Sequence, residues 1–282
     1  MKPTPHPGRT TATPDPAQAD RLLDTALRAA RAAAAVHATE RGRLDVSEWS
    51  SKGAAADFVT RVDRESEEAA LAVIRTAFPD HDILAEEGAP DAEAAGLGVG
   101  WTWVVDPLDG TTNYLHGFPA YAASVAVAHE GQPVAGAVVA ANGDEFTARA
   151  GGGAFRNGEA IRASRIERME HALIGTGYPF KNPEHLPAYQ RQFAAVLKAS
   201  SGIRRAGAAA LDLCWVACGW FDGFWELQLA PWDVAAGGLI AREAGAVVTL
   251  LDGRDDILAG GAYLAGNPSI HEQLGRLVRE NG

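Results

Sequence analysis

The chain has 282 residues, of which 47% are hydrophobic and 22% charged, a composition that can build a full-size core and argues against wholesale disorder. Its 25 basic residues face 36 acidic ones, a formal net charge of −11. That sign argues against broad electrostatic binding of nucleic acid or of an anionic membrane, either of which needs a basic face. It still admits a phosphorylated small molecule, provided something cationic stands between the phosphate and the carboxylates.

The first residues, 1–19, carry Pro3, Pro5, Pro7, Pro14 and Pro16 among small polar residues and read as a disordered tail. They lack the basic-then-apolar layout of a signal peptide. No uninterrupted apolar run approaches about 18 residues, so no membrane-spanning helix is expected. From Asp20 to about Arg41 the chain is rich in Ala, Leu and Arg without Gly or Pro, which predicts a helix with Asp20 as its N-cap. From Thr60 to Phe78 the apolar residues Val62, Ala69, Ala70, Val73, Ile74 and Ala77 recur at helical spacing, a second and amphipathic helix. Asp82 to Ala85 reads as a short strand that delivers Glu86 and Glu87, and Gly88 to Gly100 reads as a loop.

Trp101 to Val105 is a β-favouring run that ends on Asp106-Pro107. Strands are expected next over Ala122–His129, Val134–Ala141 and Glu145–Ala150. The dipeptides Glu130-Gly131 and Asn142-Gly143 make them an antiparallel meander. Beyond Ile161 short strands, Ala172–Thr176 and Val247–Leu251, alternate with helices over Leu186–Ala199, Ala208–Gly219, Val234–Ala244 and Ile270–Glu280, an α/β texture. A division into 20–165 and 166–282 follows, with the two halves packed as one unit. The apolar stretch from Leu211 to Trp225 is first of all core. Its two thiols, Cys214 and Cys218, are too few for a disulfide framework and fit a reducing cytoplasm.

The chemistry-bearing block is Asp106-Pro107-Leu108-Asp109-Gly110-Thr111-Thr112-Asn113. Two carboxylates three residues apart can point into one site, Gly110 permits close backbone approach, and Thr111-Thr112 open a short helix whose free amides favour phosphate. Carboxylates beside a phosphate-binding amide cluster repel the phosphate unless divalent cations intervene, and hard oxygen ligands with phosphate indicate Mg²⁺. Glu86-Glu87, Asp233 behind Pro231, and the Asp57–Asp63 segment are weaker on their own, since charged turns and helix caps account for each.

In order, Lys52, Asp57 to Thr60, Asp63, Glu86-Glu87, the Asp106 block and Trp232-Asp233 resemble the inositol monophosphatase family, the lithium-sensitive, Mg²⁺-dependent sugar phosphatases, over about residues 20–280. The resemblance implies a layered α-β-α-β-α sandwich, commonly a homodimer. It implies that Glu86, Asp106 and the Leu108 carbonyl bind one Mg²⁺, that Asp106, Asp109 and Asp233 bind a second, and that Glu86 with waters holds a third. Thr111, assisted by Asp63, orients and deprotonates the attacking water, and the Gly110 and Thr111 amides hold phosphate oxygens. Glu226, seven residues before Asp233, receives the ring hydroxyls of the substrate, and Ala209 lines the same pocket. Ala208 stands where members often carry Ser or Thr, which leaves the polyol open. Arg204-Arg205 reach either the substrate or solvent.

The expected function is therefore hydrolysis of inositol 1-phosphate or a similar polyol phosphate. Within the same chemistry the alternatives are histidinol-phosphate phosphatase and, more remotely, fructose-1,6-bisphosphatase. From a different class, a non-catalytic binder of a phosphorylated ligand would have lost one of the acidic ligands or the water-activating pair, and this chain keeps them all.

Overall fold

The computed structural model describes residues 15–43, 49–51, 58–88, 99–179 and 182–282. Lys52, Asp57 and residues 1–14 of the expected tail lie outside the described residues, as do residues 89–98 of the expected loop.

Helix α1 (Pro16–Glu40) starts ahead of its predicted boundary, so part of the expected tail is helical. Its N-cap is Asp15, which accepts from the Gln18 amide at 3.0 Å. Asp20 instead pairs with Arg149 at 3.2 Å. A two-stranded pair, β1 (Ser50–Ser51) and β2 (Phe58–Val59), precedes α2 (Arg61–Ala77). Thr60 and Asp63 close a capping box at the start of α2, each satisfying an amide that the first helical turn leaves bare.

The first sheet has seven strands in sequential order, β3 (Asp82–Ala85), β4 (Trp101–Asp109), β5 (Ala122–His129), β6 (Gln132–Ala140), β7 (Glu145–Arg149), β8 (Gly153–Arg156) and β9 (Glu159–Ala160). Only β3 pairs in parallel, against β4; the rest form the expected meander. Glu130 and Gly131 both take left-handed backbone, at φ 51° and 76°, the two-residue turn whose twist suits a hairpin. Asn157 and Gly158 repeat it between β8 and β9 at 52° and 80°, a hairpin absent from the sequence expectation. β4 also runs past its predicted end at Val105, bulging between Asp106 and Asp109.

The second sheet, in the order β11-β10-β12-β14-β13, is mixed. It comprises β10 (Leu173–Thr176), β11 (Gly202–Arg204), β12 (Gly223–Leu229), β13 (Val247–Leu250) and β14 (Gly261–Gly266), of which β11, β12 and β14 were not expected. The remaining helices are α3 (Thr111–Leu115), α4 (Leu186–Ala199), α5 (Ala209–Ala217), α6 (Pro231–Glu243) and α7 (Pro268–Glu280).

Three apolar clusters fix the layering. Leu22, Ala26 and Ala33 of α1 and Ala70 and Ile74 of α2 pack on Trp103, Val105 and Val125 of the first sheet. On its other face Val104 and Val138 meet Leu213 of α5 and Ile240 of α6, which also meet Phe224, Val248 and Ala265 of the second sheet. Beyond that sheet, Ile174, Trp225 and Leu264 meet Val196 of α4 and Leu274 and Val278 of α7. The order of layers is thus α-β-α-β-α. α6 comes close to the first sheet because Gly136 offers no Cβ; one built there would stand 3.0 Å from the Ala236 Cα. Of the predicted core aromatics, Phe221, Phe224 and Trp225 are buried, whereas Trp220 is exposed beneath the Arg156 guanidinium.

Candidate active site

The middle layer is where several chain ends meet. β3 runs parallel to β4 with Ala85 opposite Val105, so the chain leaves β3 at Glu86 alongside Asp106, and the Glu86 amide donates to the Val105 carbonyl at 3.1 Å. The bulge after Asp106 carries Asp109 into the same space, and the first turn of α6 adds Asp233. Glu86, Asp106, Leu108, Asp109, Gly110, Thr111, Ala209, Glu226 and Asp233 all line one pocket of about 250 Å³. Asp63 stands behind Thr111, with its Oδ1 accepting from the Thr111 hydroxyl at 2.9 Å. Every site residue predicted from the sequence is therefore in the pocket or against it.

The four aspartates are each anchored to the fold by an amide. Oδ2 of Asp63 accepts from the Thr60 amide and hydroxyl at 2.8 and 2.7 Å, leaving Oδ1 for Thr111. Oδ2 of Asp233 accepts from the Ala230 amide at 2.6 Å, and Oδ1 of Asp106 from the Leu108 amide at 3.1 Å. Asp109 accepts from the Ala209 and Ala210 amides at 3.2 and 2.8 Å, capping α5, whose own cap position Ala208 has no side chain able to do so. The capping explanation for these acids is thus correct as far as it goes, and it also fixes where each side chain points. His37 of α1 completes the frame, its Nε2 lying 2.9 Å from the Pro107 carbonyl oxygen.

The electrostatics follow from crowding acids away from water. Burial, then Glu86, Asp109 and Asp233, push the Asp106 carboxyl well above the carboxylate range. Glu86 also hydrogen-bonds to Asp106. Burial and then Asp233 push Asp109 up to about 8, against the pull of the Ala210 amide. Asp63 is raised by burial, with its bonds from Thr60 and Thr111 opposing. Five carboxylates lining one pocket are costly as charges unless protons or cations sit among them. Among the described residues no three of these side chains are closed into a ready cage for one ion; their oxygens face amides and one another.

Gly110 takes left-handed backbone at φ 89°, and a Cβ there would sit 2.9 Å from the Ala120 carbonyl oxygen. Only glycine fits this turn, and it opens α3 toward the pocket. Of the arginine pair, Arg205 lines the pocket with its guanidinium 4.8 Å from the Tyr178 ring centroid, whereas Arg204 is exposed. Thr112 and Gly207 line it as well; Tyr178, Pro179, Gln228 and Leu229, which also line it, were not foreseen. Gln228 carries no sequence signal, because β12 was not expected as a strand and its bulge breaks the two-residue alternation that would tie it to Glu226.

Fold and site together define a two-sheet α/β sandwich with an acidic pocket in its middle layer. The chain belongs to the inositol monophosphatase family, whose sequence model matches residues 18–282, a family of phosphatases that in general depend on a metal. It is 43% identical over 256 residues to the Nus factor SuhB of Pseudomonas aeruginosa, covering 90% of this chain and 94% of that one. It is 39% identical over 261 residues to the inositol-1-monophosphatase of Mesorhizobium japonicum, covering 92% and 96%. The solved structure of extragenic suppressor protein suhB from Bartonella henselae superposes with a TM-score of 0.84 at 38% identity, covering 92% of this chain and 98% of that one. Among the described residues no helix is long and apolar enough to cross a membrane.

Proposed function

We propose that the protein is a Mg²⁺-dependent phosphomonoesterase that hydrolyses a polyol phosphate, inositol 1-phosphate in the first instance, by in-line attack of water. The observation that carries this reading is the convergence of Glu86, Asp106, Asp109 and Asp233 on one pocket beside the Thr111–Asp63 pair.

The donor set fits hard divalent cations. It offers carboxylate oxygens and the Leu108 carbonyl, with no histidine or cysteine among the lining residues, the ligand type that suits Mg²⁺. A cation can also take the place of a proton at Asp106 and reverse the upward pressure on that carboxyl. When bound, two or three Mg²⁺ would activate water and neutralise the charge that spreads over the phosphoryl oxygens. Glu86, Asp106 and the Leu108 carbonyl would hold one of them, and Asp106, Asp109 and Asp233 another.

The remaining steps belong to the protein. Thr111 has its hydroxyl proton directed to Asp63, so an Oγ1 lone pair is free to accept a proton from the attacking water while its own passes toward Asp63. Burial makes that carboxylate a stronger base than an exposed aspartate. The amides of Gly110 and Thr111 face the phosphate, and Glu226 receives the hydroxyls of the leaving group. The two cysteines carry free thiols, in keeping with a cytoplasmic enzyme.

Phosphate release from a panel of monoesters, with Mg²⁺ and with chelator, tests the reading. Release from inositol 1-phosphate that requires Mg²⁺ supports it. Turnover of histidinol phosphate a hundredfold better would replace the polyol with an amino alcohol.

A second reading is favoured by the 43% identity to a protein named Nus factor: a role of that kind held alongside hydrolysis. Restoring growth to a bacterium deprived of its own SuhB separates the two. Rescue by wild type and by Asp106→Asn alike would show a role independent of catalysis.

A further inference from the structure

β12 lies against β14 with Glu226 opposite Tyr263 and Leu229 opposite Gly261, three steps along one strand against two along its partner. One residue too many is accommodated between Glu226 and Leu229, a β-bulge, the device that re-aims side chains beside active sites. Here it turns Gln228 into the pocket together with Glu226 and Leu229. The Oε1 end of the Gln228 amide is shielded from solvent and has no hydrogen-bond partner among the described residues. A buried polar atom without a partner costs stability unless something arrives to satisfy it. Gly177 lies against the same wall; a Cβ there would overlap the Glu226 carboxylate, so the absence of a side chain at 177 makes room for Glu226 beside Gln228.

We propose that Gln228 is a specificity-determining residue that reads a second hydroxyl of the leaving group beside the one received by Glu226. The assignment rests on the phosphomonoesterase reading and deepens it. The two side chains differ in a useful way: an ionised glutamate only accepts, whereas an amide both donates and accepts, whichever way its ends are assigned. A hydroxyl suits the amide in either assignment. The preferred substrate is therefore a phosphate ester of a polyhydroxylated alcohol with at least two free hydroxyls beyond the ester oxygen. An ester with one hydroxyl or none leaves the amide unsatisfied, and sites built to bond a substrate hydroxyl discriminate strongly against analogues that lack it.

The test compares kcat/KM for inositol 1-phosphate with kcat/KM for phenyl phosphate, which has no hydroxyl, in wild type and in Gln228→Leu. The ratio of the two should fall about tenfold in the variant, the worth of one hydrogen bond to an uncharged partner, chiefly through KM for the inositol ester. Gln228→Asn, which keeps the amide but withdraws it by one methylene, should fall between, and it takes the place of the leucine variant if that one does not fold. A ratio within threefold of wild type overturns the assignment. Should wild type hydrolyse neither ester, the phosphatase reading fails, and calorimetric titration of inositol 1-phosphate then judges Gln228 separately. Binding about tenfold weaker in the variant supports the assignment, and equal or absent binding overturns it.

Discussion

The Thr111 hydroxyl donates to Oδ1 of Asp63 over 2.9 Å, across 48 residues of sequence, while Oδ2 of the same carboxylate caps α2 through Thr60. One side chain thus starts a helix and orients the hydroxyl that faces the pocket. Thr111→Ala removes the proton acceptor without touching the cap, and kcat should fall by about 10²–10⁴, the usual worth of general-base assistance, with the melting temperature nearly unchanged. Thr111→Ser should recover most of the loss. Steady-state kinetics alongside thermal melts check both, and a fall shared equally by kcat and stability would show that Thr111 is only structural.

The acid cluster makes a second prediction, about binding rather than rate. Asp109 is held up to about 8 by burial and by Asp233, so added Mg²⁺ should relieve a repulsion that the protein otherwise carries. At a concentration a hundredfold above its Kd, a ligand specific to the folded state contributes about 2.7 kcal/mol, or roughly 5 °C in a chain of this size. Scanning calorimetry should show that rise for wild type and a clearly smaller one for Asp109→Asn, which keeps only the site made by Glu86, Asp106 and Leu108. Equal shifts in both proteins would place the cation elsewhere.

The acids could be foreseen from the sequence because their local role is local chemistry. Thr60 with Asp63, Ala230 with Asp233 and the Asp106 turn each fall within three residues of sequence, a range at which spacing carries information. The residues that complete the frame act over longer reach. His37 meets Pro107 across 70 residues and Asp109 meets Ala210 across 101, contacts that no local pattern announces. The missed strands have their own causes. The apolar run from Leu211 to Trp225 passes from α5 into β12, and its break is marked only by Gly219, at φ 70°, and the Asp222-Gly223 dipeptide, short signals inside a long apolar stretch. In β14, Gly-Ala-Tyr-Leu-Ala-Gly offers few of the branched side chains that signal a strand. The Asn157-Gly158 hairpin is different, since that dipeptide is a strong turn signal and was open to reading.

Gly177 supplies a prediction that separates folding from substrate binding. Its backbone is not left-handed, so alanine meets no strain there, and the atoms that an added Cβ would overlap are the far end of the Glu226 side chain. That end can swing aside at little cost to the fold, but not without leaving the position from which it faces the pocket. Gly177→Ala should therefore melt within a few degrees of wild type while KM for the polyol ester rises about tenfold, in keeping with one hydrogen bond to a charged partner. Unchanged KM would mean that Glu226 does not touch the substrate.

His37 predicts how stability depends on pH. Burial lowers its pKa from the ordinary 6.5 to about 4, opposed by its bond to the Pro107 carbonyl. The folded protein thus holds the ring neutral where the unfolded chain would protonate it. Between the two values the unfolded state binds more protons, so stability rises with pH. The contribution of the neutral ring is fully present above about 6.5, drains away as the pH falls toward 4, and amounts to about 3 kcal/mol over that window. The site acids titrate in the opposite sense, being raised rather than lowered, and their effect must be subtracted. His37→Gln does this, because it keeps a donor for Pro107 and removes only the titrating ring. Urea unfolding of both proteins from pH 7.5 down to pH 4.5 should show wild type losing ground to the variant by about that amount. A difference that stays constant with pH would mean that His37 titrates alike in the folded and unfolded chain, and one that moves in favour of wild type as the pH falls would mean that the Pro107 turn is held by a charged ring rather than a neutral one.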